Sequence, residues 1–199
     1  MDVRKFIEIM AVTEKLKNTT RHSWTSSGRH ESVAEHSWRL SLMAYLVKDE
    51  FPEADIDKVI LMCIFHDLGE AITGDIPAFN KTKSDETVED DEVRQLLSGL
   101  PEPYKKELSM LFLEMHSQKT LESRIYKALD KMEALIQHNE ADISTWIPLE
   151  YELNLTYGEK EVEFSKYMKE LREALKNDTI KKIQSPEKSV RHHHRAAGG

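Results

Sequence analysis

The chain has 199 residues and a formal net charge of -8, a length that suits one domain with its own hydrophobic core and is short for two. An acidic protein of pI near 5.6 has no global basic field for nucleic acid. The first turns carry Asp2, Arg4, Lys5 and Glu8, which no signal peptide's apolar core would tolerate, and no apolar run approaches a membrane span; a soluble, cytoplasmic protein is expected, with neither nucleic acid nor membrane as partner.

Glycine is scarce, seven in all, and helical periodicity runs almost throughout. A first helix is expected over about residues 2–17, with Phe6, Ile9, Met10, Thr13 and Leu16 on one side. Residues 18–31 read as a polar, irregular segment holding Arg21, Trp24, Gly28 and Arg29, and irregular segments often carry binding groups. Ser32-Val33-Ala34-Glu35 is a capping box. The helix it opens is expected to run to about Asp49, with Val33, His36, Leu40, Met43 and Val47 on one stripe. A third helix covers about 54–67, its apolar positions Ile56, Val59, Ile60, Cys63 and Ile64, and Leu68-Gly69 breaks it. Cys63 is the single cysteine, which rules out an internal disulfide and fits a reducing compartment; in an apolar run it reads as a small buried hydrophobe. A turn-rich stretch, Thr73 to Pro77, precedes a polar loop over 80–86. Helices are expected over 87–97, 101–116 and 121–139, the last with Ile125, Leu129, Met132 and Ile136 as its core stripe. Beyond Trp146 and Pro148 comes one more long charged helix to about 176. The expected fold is all-α, seven or eight helices in one domain over 1–180. Residues 181–199, with His192-His193-His194, read as a tail outside it.

Three features carry chemistry. His36 falls on a buried stripe, His66-Asp67 ends the next helix after an apolar run, and Asp130 sits mid-helix beside a core stripe. Each alone has an ordinary reading: a satisfied core histidine, a cap or surface pair, a solvated aspartate. Together they form a set of two imidazoles and two carboxylates. Converging on one divalent cation, these would offset the several kcal/mol of cost that burying an unpaired carboxylate carries. Two nitrogens and two oxygens suit a cation of intermediate hardness.

With Glu35-His36, Phe65-His66-Asp67-Leu68-Gly69-Glu70, Gly74-Asp75-Ile76-Pro77 and Leu129-Asp130-Lys131, the chain resembles the HD-domain superfamily, and within it the 5′-deoxynucleotidase (YfbR-like) branch, over roughly residues 5–175. The resemblance implies an HD-domain helical bundle and one divalent metal, Co²⁺, Mn²⁺ or Mg²⁺, held by His36, His66, Asp67 and Asp130. It implies hydrolysis of (deoxy)nucleoside 5′-monophosphates to nucleoside and phosphate, and a homodimer. Glu70, where triphosphohydrolases of the superfamily tend to place His, would orient or deprotonate the attacking water; Asp75 would assist or protonate the leaving oxygen. Arg21 and Trp24 match an Arg and a Trp that approach phosphate and sugar; here His22-Ser23 separates them, as in the eukaryotic relatives. Arg29 is a second phosphate candidate. Two other readings stand beside this one: an HD phosphohydrolase for a different nucleotide or phosphorylated metabolite, and a non-catalytic helical module that keeps a structural metal. Glu70 and Asp75 speak against the latter, since a structural site has no need of them.

Overall fold

The computed structural model describes residues 1–185. Its elements follow in the order α1 (Val3–Thr13), β1 (Thr20–Trp24), β2 (His30–Ser32), α2 (Val33–Leu46), α3 (Ile56–Phe65), α4 (Glu70–Thr73), α5 (Lys83–Ser98), α6 (Tyr104–Ser117), α7 (Leu121–Glu140), α8 (Glu150–Thr156) and α9 (Lys166–Gln184), with short 3-10 turns between some of them. The domain is therefore all-α but for one small hairpin. Among the described residues no helix is long and apolar enough to cross a membrane.

The centre is made by α2, α3 and α7 packed on one another, with α9 against α7. Val33 and Leu40 of α2, Val59, Met62 and Cys63 of α3, and Ile125, Leu129 and Met132 of α7 are all fully buried. The stripes expected for α2 and α7 are the ones that turn inward. On α3 the face is rotated: Met62 is buried in place of Ile64, which is exposed.

Four expectations are corrected. Residues 18–31 are not irregular throughout; β1 and β2 pair antiparallel, Thr20 opposite Ser32 and Trp24 opposite His30. The turn closes through Thr25, whose N–H donates to the Arg29 carbonyl at 2.7 Å, and Gly28, at φ +82°. The strands are short and polar, so no apolar alternation announces them; the ladder and the turn glycine supply the order. The first helix ends at Thr13, followed by a 3-10 turn over Glu14–Lys17, and it buries none of its residues; Phe6 and Met10 are exposed and only Leu16 beyond it reaches the core. Helix α5 begins at Lys83, inside the stretch expected as loop, because Thr82 and Asp85 form a reciprocal capping box. The last helix runs on to Gln184, past the expected end of the domain; the rest of the expected tail, including the three histidines at 192–194, lies outside the described residues.

Candidate metal centre and active site

The central three helices deliver the four suspected ligands to one point. The Ser32 cap starts α2 so that His36 falls in its first turn: the Glu35 N–H donates to Ser32 Oγ, while the Ser32 N–H donates to the Glu35 carboxylate at 2.9 Å. His66 caps the C-terminus of α3, and Asp67 follows in a tight turn. Asp130 projects from the middle of α7. His36 Nε2 lies 3.3 Å from Asp130 Oδ1 and 3.9 Å from Asp67 Oδ2. His66 Nε2 lies 2.9 Å from Asp67 Oδ2 and 3.9 Å from Asp130 Oδ1. Donor atoms of His36, His66 and Asp67 fall within 4.8 Å of one another, close enough to share one cation.

The orphaned atoms of this cluster test whether a metal fits. Both Nε2 atoms are buried without a hydrogen bond, and buried polar atoms are rarely left so. The Nδ1 of His66 is 2.9 Å from the Cys63 carbonyl, which can only accept. The proton therefore sits on Nδ1, and the lone pair of the neutral ring points from Nε2 into the cluster. His36 makes its Nδ1 contact with Glu133 instead. In the neutral rings two Nε2 lone pairs face two carboxylate oxygens, a set that suits a divalent cation taking the place of any proton held there.

The surrounding charges are arranged to keep the ligands ionised. Burial works against charge on Asp130, yet Lys127, whose Nζ donates to Oδ2 at 2.9 Å, and His36 hold it well below the usual carboxylate range. Asp67 is also held low, burial being outweighed by His66, His36 and Arg21. Arg21, on β1, reaches in with its guanidinium: NH1 is 3.4 Å from Asp67 Oδ2 and 4.0 Å from Asp75 Oδ1, and Nε is 3.4 Å from Glu31 Oε2. Burial alone would lower its pKa, but Asp67, Asp75, Glu133 and Asp130 raise it. Glu70 opens α4 one turn beyond Asp67 and is 4% exposed, with Oε2 unpartnered. Burial, reinforced by Asp67 and Asp75, pushes it up to about 10. Asp75 is raised too, by burial first.

Two glycines make this geometry possible. A Cβ on Gly69 would meet Glu89 Cγ at 2.5 Å and Val93 Cγ2 at 3.0 Å, so its absence lets the His-Asp turn sit on α5. Gly74 ends α4 at φ +79°, ψ 164°, a conformation closed to side chains, and so turns the chain to present Asp75.

The structure thus brings His36, His66, Asp67, Asp130, Glu70, Asp75 and Arg21 together. It does not bring Trp24 and Arg29. The Trp24 indole lies on the His30 ring, centroids 4.0 Å apart. Arg29 is bound to Glu35 by contacts of 2.9 and 2.5 Å at the exposed start of α2. Three residues that sequence reasoning passed over complete the site: Glu31, which takes Arg21 and Ser23, Lys127 and Glu133. Each looks like an ordinary charged residue in the chain. Only the helical spacing of Lys127 and Glu133, three residues either side of Asp130, offered a signal. A cleft of about 400 Å³ opens on His66 and Asp67, edged by Lys81, Glu89, Tyr126 and Lys127. A second cavity, lined by Arg21, Asp75, Phe79, Leu135, Leu153 and Tyr157 among others, lies on the Arg21 side.

Comparison with known proteins agrees with this picture. Residues 13–172 match the family model of the HD domain. A curated 5′-deoxynucleotidase from Homo sapiens is 32% identical over 141 residues, 69% of this chain and 68% of that one. Another from Dictyostelium discoideum is 30% identical over 145 residues, 68% and 76% of the two chains. Among solved structures, one described as a predicted metal-dependent phosphohydrolase from Magnetospirillum magnetotacticum superposes with a TM-score of 0.78 at 25% identity, covering 91% of this chain and 94% of that one. A protein from Pyrococcus furiosus superposes with a TM-score of 0.70 at 30% identity, covering 86% and 99%.

Proposed function

The chain belongs to the HD-domain family, and from that premise we propose a metal-dependent phosphomonoesterase that hydrolyses (deoxy)nucleoside 5′-monophosphates to nucleoside and phosphate. One observation carries the reading: two buried imidazole Nε2 atoms without hydrogen bonds face Asp67 and Asp130, beside a half-buried arginine and two carboxylates of raised pKa.

His36, His66, Asp67 and Asp130 are the proposed ligands of one divalent cation, Co²⁺, Mn²⁺ or Mg²⁺. When bound, such a cation supplies Lewis acidity to a phosphoryl oxygen and to water. Arg21 offers the phosphate a guanidinium already oriented by Glu31 and Asp67. Asp67, Asp75 and Glu70 repel one another, so positive charge added to the cluster lowers the Glu70 pKa and readies that carboxylate to take a proton from the attacking water. Asp75, raised in pKa by burial first, would return a proton to the 5′-oxygen as the phosphorus–oxygen bond breaks. The cleft of about 400 Å³ on His66 and Asp67, with Phe112, Met115 and Tyr126 among its walls, has the volume for a sugar and base. Trp24 and Arg29 have partners elsewhere and receive no part in this assignment.

A homodimer is proposed as well. Trp38, Leu42 and Tyr45 form an exposed stripe on α2, with Leu61 and Ile64 exposed on α3, and apolar surface of this kind marks contact sites. The buried, unpaired Cys63 fits a reducing cytoplasm.

The direct test strips the protein with chelator, restores single cations, and measures phosphate released from a panel of deoxy- and ribonucleoside 5′-monophosphates. Release that depends on an added cation and on the 5′-phosphate is expected. No release with any cation would reject the enzyme reading.

A further inference from the structure

Glu133 is the one fully buried carboxylate around the cluster that the proposed reaction leaves without a task. It lies one helical turn beyond Asp130 on α7 and is 0% exposed. Its Oε2 meets His36 Nδ1, and its Oε1 accepts from Arg39 Nε at 2.7 Å. Arg39 stands three residues beyond His36 on α2, and its NH1 reaches Glu140, about two turns further along α7, at 2.5 Å. Two adjacent helices thus exchange two pairs of groups: α2 gives His36 and Arg39, α7 gives Asp130 and Glu133.

We propose that Glu133, braced by Arg39, is the positioning residue that holds His36 in the Nδ1–H tautomer with its Nε2 lone pair aimed at the metal. The inference rests on the metal reading above. A carboxylate can only accept, so Nδ1 must donate, and the neutral ring then has its free lone pair on Nε2. That atom is the one 3.3 Å from Asp130 Oδ1 and without a hydrogen bond. His66 reaches the same state through the Cys63 carbonyl, so the two histidines use different anchors for one purpose. Arg39 is needed because a carboxylate with one free oxygen can rotate, while one fixed at both oxygens cannot. A carboxylate partner also makes the ring a more basic ligand than a neutral acceptor does.

Glu133→Gln separates this role from plain packing. The glutamine has nearly the same shape, but Arg39 can only donate, so it recruits the amide oxygen. The amide NH₂ is then left facing Nδ1. The ring must accept there, its proton moves to Nε2, and the ligand lone pair is lost. In the full-length protein, with Co²⁺ alone as the probe in competition with a chromophoric chelator, Glu133→Gln should bind at least about tenfold to a hundredfold more weakly than wild type. Its chelated form should keep the wild-type far-UV circular dichroism. Arg39→Gln, which leaves Glu133 in place and frees one of its oxygens, should weaken binding by a smaller factor, and it decides the matter if Glu133→Gln does not fold. Wild-type affinity in a folded Glu133→Gln, or in Arg39→Gln, overturns the proposal. Absence of Co²⁺ binding in the wild type would instead remove the metal reading itself, and this inference with it.

Discussion

The chemistry of single residues here is governed by how many carboxylates share a small buried volume. Glu70 is raised to about 10 by burial and by Asp67 and Asp75, and in the metal-free protein it keeps its proton at neutral pH. His36 is raised to about 9: burial and Arg21 oppose the proton, but Glu133 and Asp130 outweigh them. Both shifts have the same sign for stability. A histidine with a raised folded pKa contributes stability that is complete below about 6.5 and lost as pH climbs through about 9. A carboxyl with a raised folded pKa ionises more readily unfolded, so it also costs stability as pH rises from about 4.5 towards 10. The chelated protein should therefore melt at a lower temperature at pH 9 than at pH 6.5, and Glu70→Gln should flatten that slope by on the order of 1 kcal/mol per pH unit. Thermal scans across this range decide it; a flat wild-type profile would contradict the argument. With metal restored, Glu70→Gln should bind the cation yet lose about a hundredfold or more in rate, the usual contribution of a placed general base. Metal analysis beside single-turnover phosphate release separates the two effects.

Among the elements, the short turn from His66 to Asp75 is the most constrained. Gly69 lies where any Cβ would strike Glu89 and Val93, so Gly69→Ala should push α5 away from the His-Asp turn. A loss of about 1–3 kcal/mol is expected from overpacking alone, read as a shift in the denaturation midpoint, with weaker metal binding in the same variant. Gly74→Ala should cost about 1–3 kcal/mol through backbone strain at positive φ. If it left both stability and rate unchanged, the part assigned to this turn in presenting Asp75 would be wrong. The helices themselves were easier to foresee. The Ser32-Glu35 box and the stripes of α2 and α7 were readable because cap chemistry and periodicity are local. The β1–β2 hairpin was not, since its strands are too short and polar to show a pattern. It matters all the same, because it is the element that carries Arg21 to Asp67.

At the scale of the whole molecule, two consequences can be measured. His66→Ala and Asp130→Ala should abolish the rise in melting temperature that cation gives the wild type, which by linkage is about 2.7 kcal/mol at a hundred times the dissociation constant. Unchanged metal content in either variant would remove that residue from the ligand set. The exposed apolar side chains of α2 and α3 should be covered by a second copy. Trp38→Glu with Leu42→Glu should then convert the dimer to monomer in sedimentation at micromolar concentration, without loss of helicity. A wild type that is monomeric there would reject this interface.

From the sequence alone came the helical class, the main caps, and the set His36, His66, Asp67, Asp130, Glu70 and Asp75. His36, His66, Asp67 and Asp130 stood out because they fall on core stripes or at a helix end, where a buried carboxylate or imidazole demands a partner; Glu70 and Asp75 came from the resemblance to the HD-domain family. What only the tertiary structure decided is who that partner is. Trp24 turned to His30 and Arg29 to Glu35, while Glu31, Lys127 and Glu133 joined the site from positions that look like any other charged residue. The physical reason is that a side chain's protonation and orientation depend on charges within a few ångströms. In this fold those charges come from α2, α7 and the hairpin, elements far apart in the chain: 97 residues separate His36 from Glu133.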